Sequence, residues 1–318
     1  MKNFVKRALI SAILATSALT GAMTSAAHAE GEQFVWISHG PDSDSWFNVI
    51  KNAIKITSEQ MGVTTEYRNP PTGDLADMAR LVQQASAAGV DGIIVTIADY
   101  NVLEGPIKDA IAKGIPVITV NSGTIEESQK LGAMMHVGQP EYEAGLGAGK
   151  RAKEAGVTSF VCVNHYITNP QSVERCRGYA DGIGVELGNQ MIDSGMDPSE
   201  VQNKVKAYLT ANPETNGILT LGPNSAEPSI RAVKDMGLDG QIYFGTFDLS
   251  AEISAAIKDG TINFAIDQQP FLQGSIPVQV LTNFVRYGVA PTNSILTGPG
   301  FVTKDNIELV EKLAGEYR

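Results

Sequence analysis

Cysteine is almost absent from the sequence: Cys162 and Cys176 are the two in 318 residues. Neither sits in a recognisable nucleophile motif. Histidine is scarce as well, with four residues. His39, His165 and Asp42 do not have the spacing of a metal site, so no metal is expected. There is no nucleophile–base pair and no paired-carboxylate signature, which argues against an enzyme, and no cofactor is expected. Positive charge is also in short supply. Lys and Arg total 24 against 35 Asp and Glu, for a net charge of −11. A chain this acidic is not drawn to nucleic acid or to anionic membranes by general electrostatics. No low-complexity linker, heptad run or short tandem repeat interrupts it. A phosphate cradle is missing too: the Gly145-Leu146-Gly147-Ala148-Gly149 run falls inside a predicted helix and is not followed by Lys-Ser/Thr. Close helix packing is the better account of it.

What is present begins with the first thirty residues. Lys2, Lys6 and Arg7 precede an uncharged, largely apolar stretch from Ala8 to about Met23, and Ala27-His28-Ala29 offers small residues around a cleavage point. This pattern predicts an export signal removed after Ala29. The apolar stretch is short for a membrane span and is broken by Ser11, Thr16, Ser17 and Thr20. The remaining chain suits two domains of ordinary size. Export bears on the cysteines. In an oxidising compartment the two thiols can pair, closing a loop of about 15 residues and stabilising by roughly 3 kcal/mol in the chain-entropy view. Two separate buried thiols are the alternative, and export favours the pair.

Beyond the signal, short apolar runs alternate with longer amphipathic segments. Strands are predicted at 34–38, 63–67, 92–97, 115–120 and 133–137, with helices at 46–61, 74–88 and 103–113. The rhythm restarts with helices at 141–155, 171–183, 198–211, 226–236, 250–258 and 271–287 between strands at 158–164, 186–193, 216–221, 241–247 and 263–267. A last helix is predicted at 304–315. Strand–helix–strand units of this length indicate an α/β fold of two doubly wound parallel sheets. Ligands of such sheets bind beyond the carboxyl ends of the strands. The loops there are rich in amides, carboxylates and aromatic rings: His39 to Phe47, Ala98 to Asn101, Asn121 to Gly123, Asn164 to Tyr166, Gly222 to Asn224, Phe247-Asp248 and Asp267 to Gln269. Amides and carboxylates suit hydroxyl groups, and flat rings suit the apolar faces of a sugar.

The order and spacing of Trp46-Phe47, Gly89-Val90-Asp91-Gly92-Ile93-Ile94, Gly114-Ile115-Pro116-Val117-Ile118, Gly245-Thr246-Phe247-Asp248 and Ile266-Asp267-Gln268-Gln269-Pro270 resemble the periplasmic sugar-binding proteins of the ribose-binding type, which serve ABC importers. The resemblance covers residues 32–318. It implies two doubly wound lobes joined by three crossovers, with the ligand in the cleft between them. Lobe one would be 32–138 with 269–296, and lobe two 139–268 with 297–318. It also implies a monomeric periplasmic protein, a monosaccharide or polyol as ligand, and the membrane subunits of an ABC transporter as partners. A protein that presents a sugar-like signal to a membrane receptor is the alternative.

The positions that match the family's ligand contacts are Asp44, Trp46 and Phe47 in the first loop, Asn121 and Ser122, Arg175, Asn224, Asp248 and Gln268. Trp46 and Phe47 would be the stacking pair. Asn121-Ser122 stands where ribose binders carry Asp-Arg, and the first loop is longer. His165 and Tyr166 are additions. Asp248 is read as a ligand contact rather than the cap of a helix from Leu249, and Arg175 as a ligand contact rather than a solvated charge. Asp99 is read as a rim contact. On position alone, His165 divides between ligand contact and a structural role. Trp36, Phe247 and Phe271 are read as packing and Arg177 as surface.

Overall fold

The computed structural model describes residues 31–318. The expected export signal and its cleavage point lie outside the described residues. The first half runs β1 (Gln33–Ile37), α1 (Phe47–Met61), β2 (Thr64–Arg68), α2 (Leu75–Ala88), β3 (Gly92–Thr96), α3 (Tyr100–Ala112), β4 (Val117–Val120), α4 (Ile125–Leu131) and β5 (His136–Gly138). The second runs α5 (Glu141–Glu154), β6 (Phe160–Asn164), α6 (Pro170–Ile183), β7 (Met191–Asp193), α7 (Pro198–Ala211), β8 (Gly217–Thr220), α8 (Pro223–Asp235), β9 (Tyr243–Phe247), α9 (Ala251–Asp259) and β10 (Phe264–Asp267). Then come α10 (Pro270–Tyr287), β11 (Ile295–Leu296) and β12 (Gly300–Val302).

These elements make two sheets of six strands, ordered β11-β5-β4-β3-β1-β2 and β12-β10-β9-β8-β6-β7. All pairings are parallel except β10 with β12. Each sheet has an apolar cluster on both faces. Trp36, Phe47, Ile94 and Leu281 pack on one side of the first sheet and Met78, Val95 and Ile107 on the other. Phe244 and Ile253 face Phe160 and Tyr179 across the second. The runs Gly92–Thr96 and Phe160–Asn164 are buried at every residue, as central strands covered on two faces must be. The chain passes between the sheets three times: after β5, after β10, and between β11 and β12. The architecture is therefore the two-lobed, doubly wound one that the strand–helix rhythm predicts.

Three local features depart from the sequence reading. First, α4 was not foreseen. It has seven residues with only Ser128 and Leu131 buried, too short to show a period, yet Thr124 and Glu127 form a capping box that marks its start. Second, α3 and α8 begin three residues earlier than predicted, at Tyr100 and Pro223. Third, residues 304–315 form two 3-10 turns, Ile307–Leu309 and Glu311–Leu313, rather than a helix. Ile307, Val310 and Leu313 recur every three residues, which is the period of the tighter turn.

The glycine run in α5 does what its sequence suggested. A Cβ on Gly145 would stand 2.2 Å from the Arg175 carbonyl oxygen, and one on Gly149 2.2 Å from that of Tyr179. On α6, a Cβ on Gly178 would stand 2.2 Å from the Tyr142 carbonyl oxygen of α5, and one on Gly182 2.5 Å from that of Leu146. Two helices without Cβ atoms at their crossing thus approach backbone to backbone. Cys162 on β6 and Cys176 on α6 are joined by a disulfide with Cα atoms 5.8 Å apart, which ties the segment carrying His165 at both ends.

Candidate ligand-binding site

The strands β1, β4, β6, β9 and β10 are each followed by a polar residue, His39, Asn121, His165, Asp248 and Gln268, that lines one shared cavity between the lobes. Asn121 follows β4 and Asp248 follows β9, and both have positive φ, 57° and 64°. Asn and Asp tolerate this left-handed geometry better than other side chains, and such backbone strain concentrates at functional sites. In both lobes it turns a polar side chain off the strand axis and into the cleft.

Of the predicted contacts, Asp44, Trp46, Phe47, Asn121, Ser122, His165, Arg175, Asn224, Asp248 and Gln268 all line this cavity. Asp99 does not. Because α3 begins at Tyr100, Asp99 is its N-cap, and Oδ1 accepts from the backbone N–H groups of Asn101 and Val102 at 2.8 and 3.1 Å.

Arg175 is held before any ligand meets it. Its Nε and Nη2 donate to the two oxygens of Glu141, each at 2.7 Å, and Nη1 donates to the Leu221 carbonyl at 3.0 Å. The guanidinium lies over the Phe247 ring, 4.3 Å from its centroid. Burial acts to lower its pKa, but the Glu141 carboxylate outweighs burial and raises it. Three of the five guanidinium N–H donors are occupied, leaving two for the cavity. The pair with Glu141 is neutral overall, so this arginine offers directed donors rather than a net positive charge.

The carboxylates are in the opposite situation. Burial pushes Asp248 up to about 7, against the Arg175 charge and a hydrogen bond from Gln268. Gln268 Nε2 donates to Asp248 Oδ1 at 2.8 Å, while Gln268 Oε1 accepts from Asn121 and Gln273, both at 3.1 Å. Those two amide donors fix which way Gln268 points. Burial likewise lifts Asp44 to about 6, although the Trp46 N–H and the Asn224 side chain both hold its charge. Asp44 comes from the first lobe and Asn224 from the second, so this contact crosses the cleft. Asn169 Nδ2 crosses it as well, to Ser122 Oγ at 2.9 Å, and Tyr166 reaches the His39 carbonyl at 3.4 Å.

Both histidines of the cavity are neutral. Burial, with the Arg175 charge second, takes His39 down to about 4 and His165 to about 3. His39 Nδ1 is engaged by Thr96 at 2.9 Å and His165 Nδ1 by Ser225 at 3.2 Å. Tyr166 sits between them, its ring 5.3 Å from His39 and 5.6 Å from His165. Trp46 and Phe47 meet edge to face, with centroids 4.9 Å apart. The Phe47 ring fits under the loop because Gly40 has no side chain; a Cβ there would stand 2.1 Å from the ring.

The space open to the centre of a water molecule is about 50 Å³. At about 10–15 Å³ per water on that measure, it holds roughly three to five waters, which occupy on the order of 100–150 Å³ of liquid. A single monosaccharide or cyclitol ring is of this size, and two linked rings are not. The lining offers amide, guanidinium and indole donors against two buried carboxylates outside the ion pair, Asp44 and Asp248, with no unpaired cation to attract an acid.

His39, Glu141, Tyr166, Asn169, Gln171 and Ser172 also line the cavity and were not among the predicted contacts. Asn169-Pro170 carried a usable signal: Asn before Pro at a strand-to-helix junction marks an N-cap, and here the cap of α6 faces the cleft. Glu141 carried none, since a first-turn Glu on an amphipathic helix is ordinarily solvated.

Comparison with known proteins agrees with this fold. A family model described as a periplasmic binding protein domain matches residues 34–288. A xylose/arabinose-binding protein of Sulfolobus acidocaldarius is 27% identical over 260 residues, covering 76% of this chain and 64% of its own length. A D-ribose/D-allose-binding protein of Pseudomonas aeruginosa is 24% identical over 303 residues, 88% of this chain and 91% of that protein. Among solved structures, a carbohydrate transporter from Acidothermus cellulolyticus in complex with myo-inositol is 33% identical. It superposes with a TM-score of 0.84, covering 91% of this chain and all of that one.

Proposed function

The chain belongs to the periplasmic binding protein family, and from that membership we propose that it captures a single monosaccharide or cyclitol ring and delivers it to the membrane subunits of an ABC importer. The observation that carries the ligand class is the cavity: one ring in size, lined by two buried carboxylates, Asp44 and Asp248, besides the Glu141 of the ion pair, and without an uncompensated cation. Carboxylates favour ligands that bring hydroxyl donors. The neutral Arg175–Glu141 pair and the two neutral histidines give sugar acids and sugar phosphates nothing to neutralise them.

We assign ligand contact to Asp44, Trp46, Phe47, Asn121, Ser122, Asn224, Asp248, Gln268, His165 and the two remaining N–H groups of Arg175. Lobe one is taken as 32–138 with 269–296 and lobe two as 139–268 with 297–318. The hinge lies at 137–140, 267–269 and 296–299. Trp46 and Asn121 belong to one lobe and Arg175 and Asp248 to the other. A ligand touching both sets binds the closed arrangement better than an open one, and that difference in affinity is what shifts the population.

A thermal-shift screen of pentoses, hexoses, cyclitols and the corresponding uronic acids tests the reading. A ligand at 100 times its dissociation constant adds about 2.7 kcal/mol to the folded state. The expected hit is a neutral ring that is recovered chemically unchanged and reduces the radius of gyration in small-angle scattering. A best ligand that is a disaccharide or an acid, or one that is turned over, overturns the proposal.

A further inference from the structure

Trp46 carries a donor that the protein leaves without a close partner. Its Nε1 is buried and has no hydrogen bond of ordinary length among the described residues, yet the Trp46 side chain acts on the Asp248 carboxylate as a weak donor that opposes the rise in its pKa. On the facing side, Asp248 Oδ1 is occupied by Gln268 at 2.8 Å. Oδ2 has no hydrogen bond of ordinary length from the described residues, and it lies beside Gly222, where a Cβ would stand 3.7 Å from it and 3.3 Å from the His165 ring. Trp46 comes from the first lobe and Asp248 from the second, and both line the cavity. An indole N–H can only donate and an ionised carboxylate can only accept. The gap between them is therefore complementary to one group, a hydroxyl, which accepts with its lone pair and donates with its proton.

We propose that a single ligand hydroxyl bridges Trp46 Nε1 and Asp248 Oδ2, and that this bridge determines specificity. The proposal rests on the monosaccharide or cyclitol reading of the site and deepens it. A deoxy position leaves both partners unmet. A carbonyl oxygen meets Trp46 but faces the carboxylate with a lone pair. An ammonium meets Asp248 but faces the indole N–H with another donor. Trp46 thus reads an oxygen acceptor with its edge, and does more than supply a flat face for stacking. The bridge also links the lobes, so the same hydroxyl holds them together.

Two measurements decide it, using whichever of myo-inositol, D-allose and D-xylose the wild-type protein binds most tightly. The first follows the indole N–H signals by NMR. The sequence has two tryptophans, and Trp36 Nε1 is likewise buried and unpartnered but lies in the core, so it serves as an internal reference. Saturation should move the Trp46 indole signal downfield and leave that of Trp36 in place. The second is a calorimetric series of singly deoxygenated analogues against wild type and Trp46→Phe. In wild type one position should weaken binding about 5- to 150-fold, the range for leaving a buried polar group unmet. In Trp46→Phe the penalty at that position should shrink several-fold while the penalties elsewhere hold. A Trp46 indole signal that does not move at saturation, or an identical deoxy profile in the two proteins, overturns the bridge while leaving the ligand class intact. Failure of the wild type to bind any of the three overturns the ligand class and the bridge with it.

Discussion

Replacing Glu141 by Gln removes one negative charge and almost no volume. In the native protein the carboxylate accepts two hydrogen bonds from Arg175 at 2.7 Å and one from Gln139 at 2.8 Å, and the Arg175 residue is 9% exposed. Neutralising one partner of a buried pair costs about 3–5 kcal/mol, because the other ion is left without compensation in the interior. Glutamine keeps one acceptor oxygen for the guanidinium, so the loss should fall near the lower end, about 3 kcal/mol. Urea denaturation of the ligand-free protein reads it directly. The double variant Glu141→Gln/Arg175→Gln, which buries no charge, should recover much of that stability yet bind ligand worse than either parent. A second consequence has the opposite sign. With Glu141 neutral, Arg175 brings a full positive charge to the cavity, so the preference for a neutral monosaccharide over its uronic acid should narrow or invert. A Glu141→Gln protein within about 0.5 kcal/mol of wild type, the range of an ordinary surface change, and with unchanged preference for the neutral sugar, would refute the reasoning.

Affinity should depend on pH on the acid side of neutrality. Burial raises Asp248 to about 7 and Asp44 to about 6. The folded protein therefore disfavours their charged forms, at no cost below about pH 4, where the unfolded carboxyls also hold their protons, and at full cost above about 7. Without ligand, these two groups make the protein more stable as pH falls. A ligand that donates to them restores the charged form, so below about pH 7 binding should release protons and weaken as the pH falls, as calorimetry in buffers of different ionisation enthalpy reports. Changing Cys162 and Cys176 to Ser should cost about 3 kcal/mol for a loop of this length, read by urea denaturation, and native protein should show no alkylatable thiol by intact mass. Gly145→Ala places a methyl 2.2 Å from the Arg175 carbonyl. Overpacking of this kind costs about 1–3 kcal/mol, and because Arg175 must shift, ligand affinity should fall in the same variant, whereas Gly156→Ala, strained in backbone but remote from the cavity, should lower stability alone.

Much of this organisation could be read from the chain because it rests on period and on turn chemistry. The buried runs at Gly92–Thr96 and Phe160–Asn164 and the helix-ending glycines at 62, 89 and 184 place strand ends, and strand ends place the cleft. That logic put the loops holding Asn121, Asp248 and Gln268 at the cleft, the family resemblance singled out those three residues, and all three line the cavity. It misplaced Asp99, because a carboxylate at the end of a strand is equally the cap of the next helix, and which role prevails depends on where the helix starts. It did not reach Glu141. The role of Glu141 exists only because α5 and α6 pack closely enough for a residue at the start of one to meet a side chain midway along the other, a relation of thirty-four positions that no local pattern encodes. The resemblance reads Trp46 as a stacking ring, and residue type alone does not tell which edge of an indole is left without a close partner.

The glycine-to-carbonyl contacts between α5 and α6 have a bearing on how such a protein changes its ligand over time. Backbones in direct contact have no side chains whose rotamers can absorb a substitution, and Cys162–Cys176 fastens the same helix to its sheet. The second-lobe wall, with Arg175 already aimed, is thus a fixed die. The first-lobe wall is built from the long loop between β1 and α1, where Asp44 and Trp46 alternate with the exposed Asp42, Ser43 and Ser45. Variants selected for a new sugar should therefore gather their changes at residues 41–46 and 121–122, whereas substitutions at 145, 149, 178 and 182 should be lost from any library on stability alone, whatever ligand is offered.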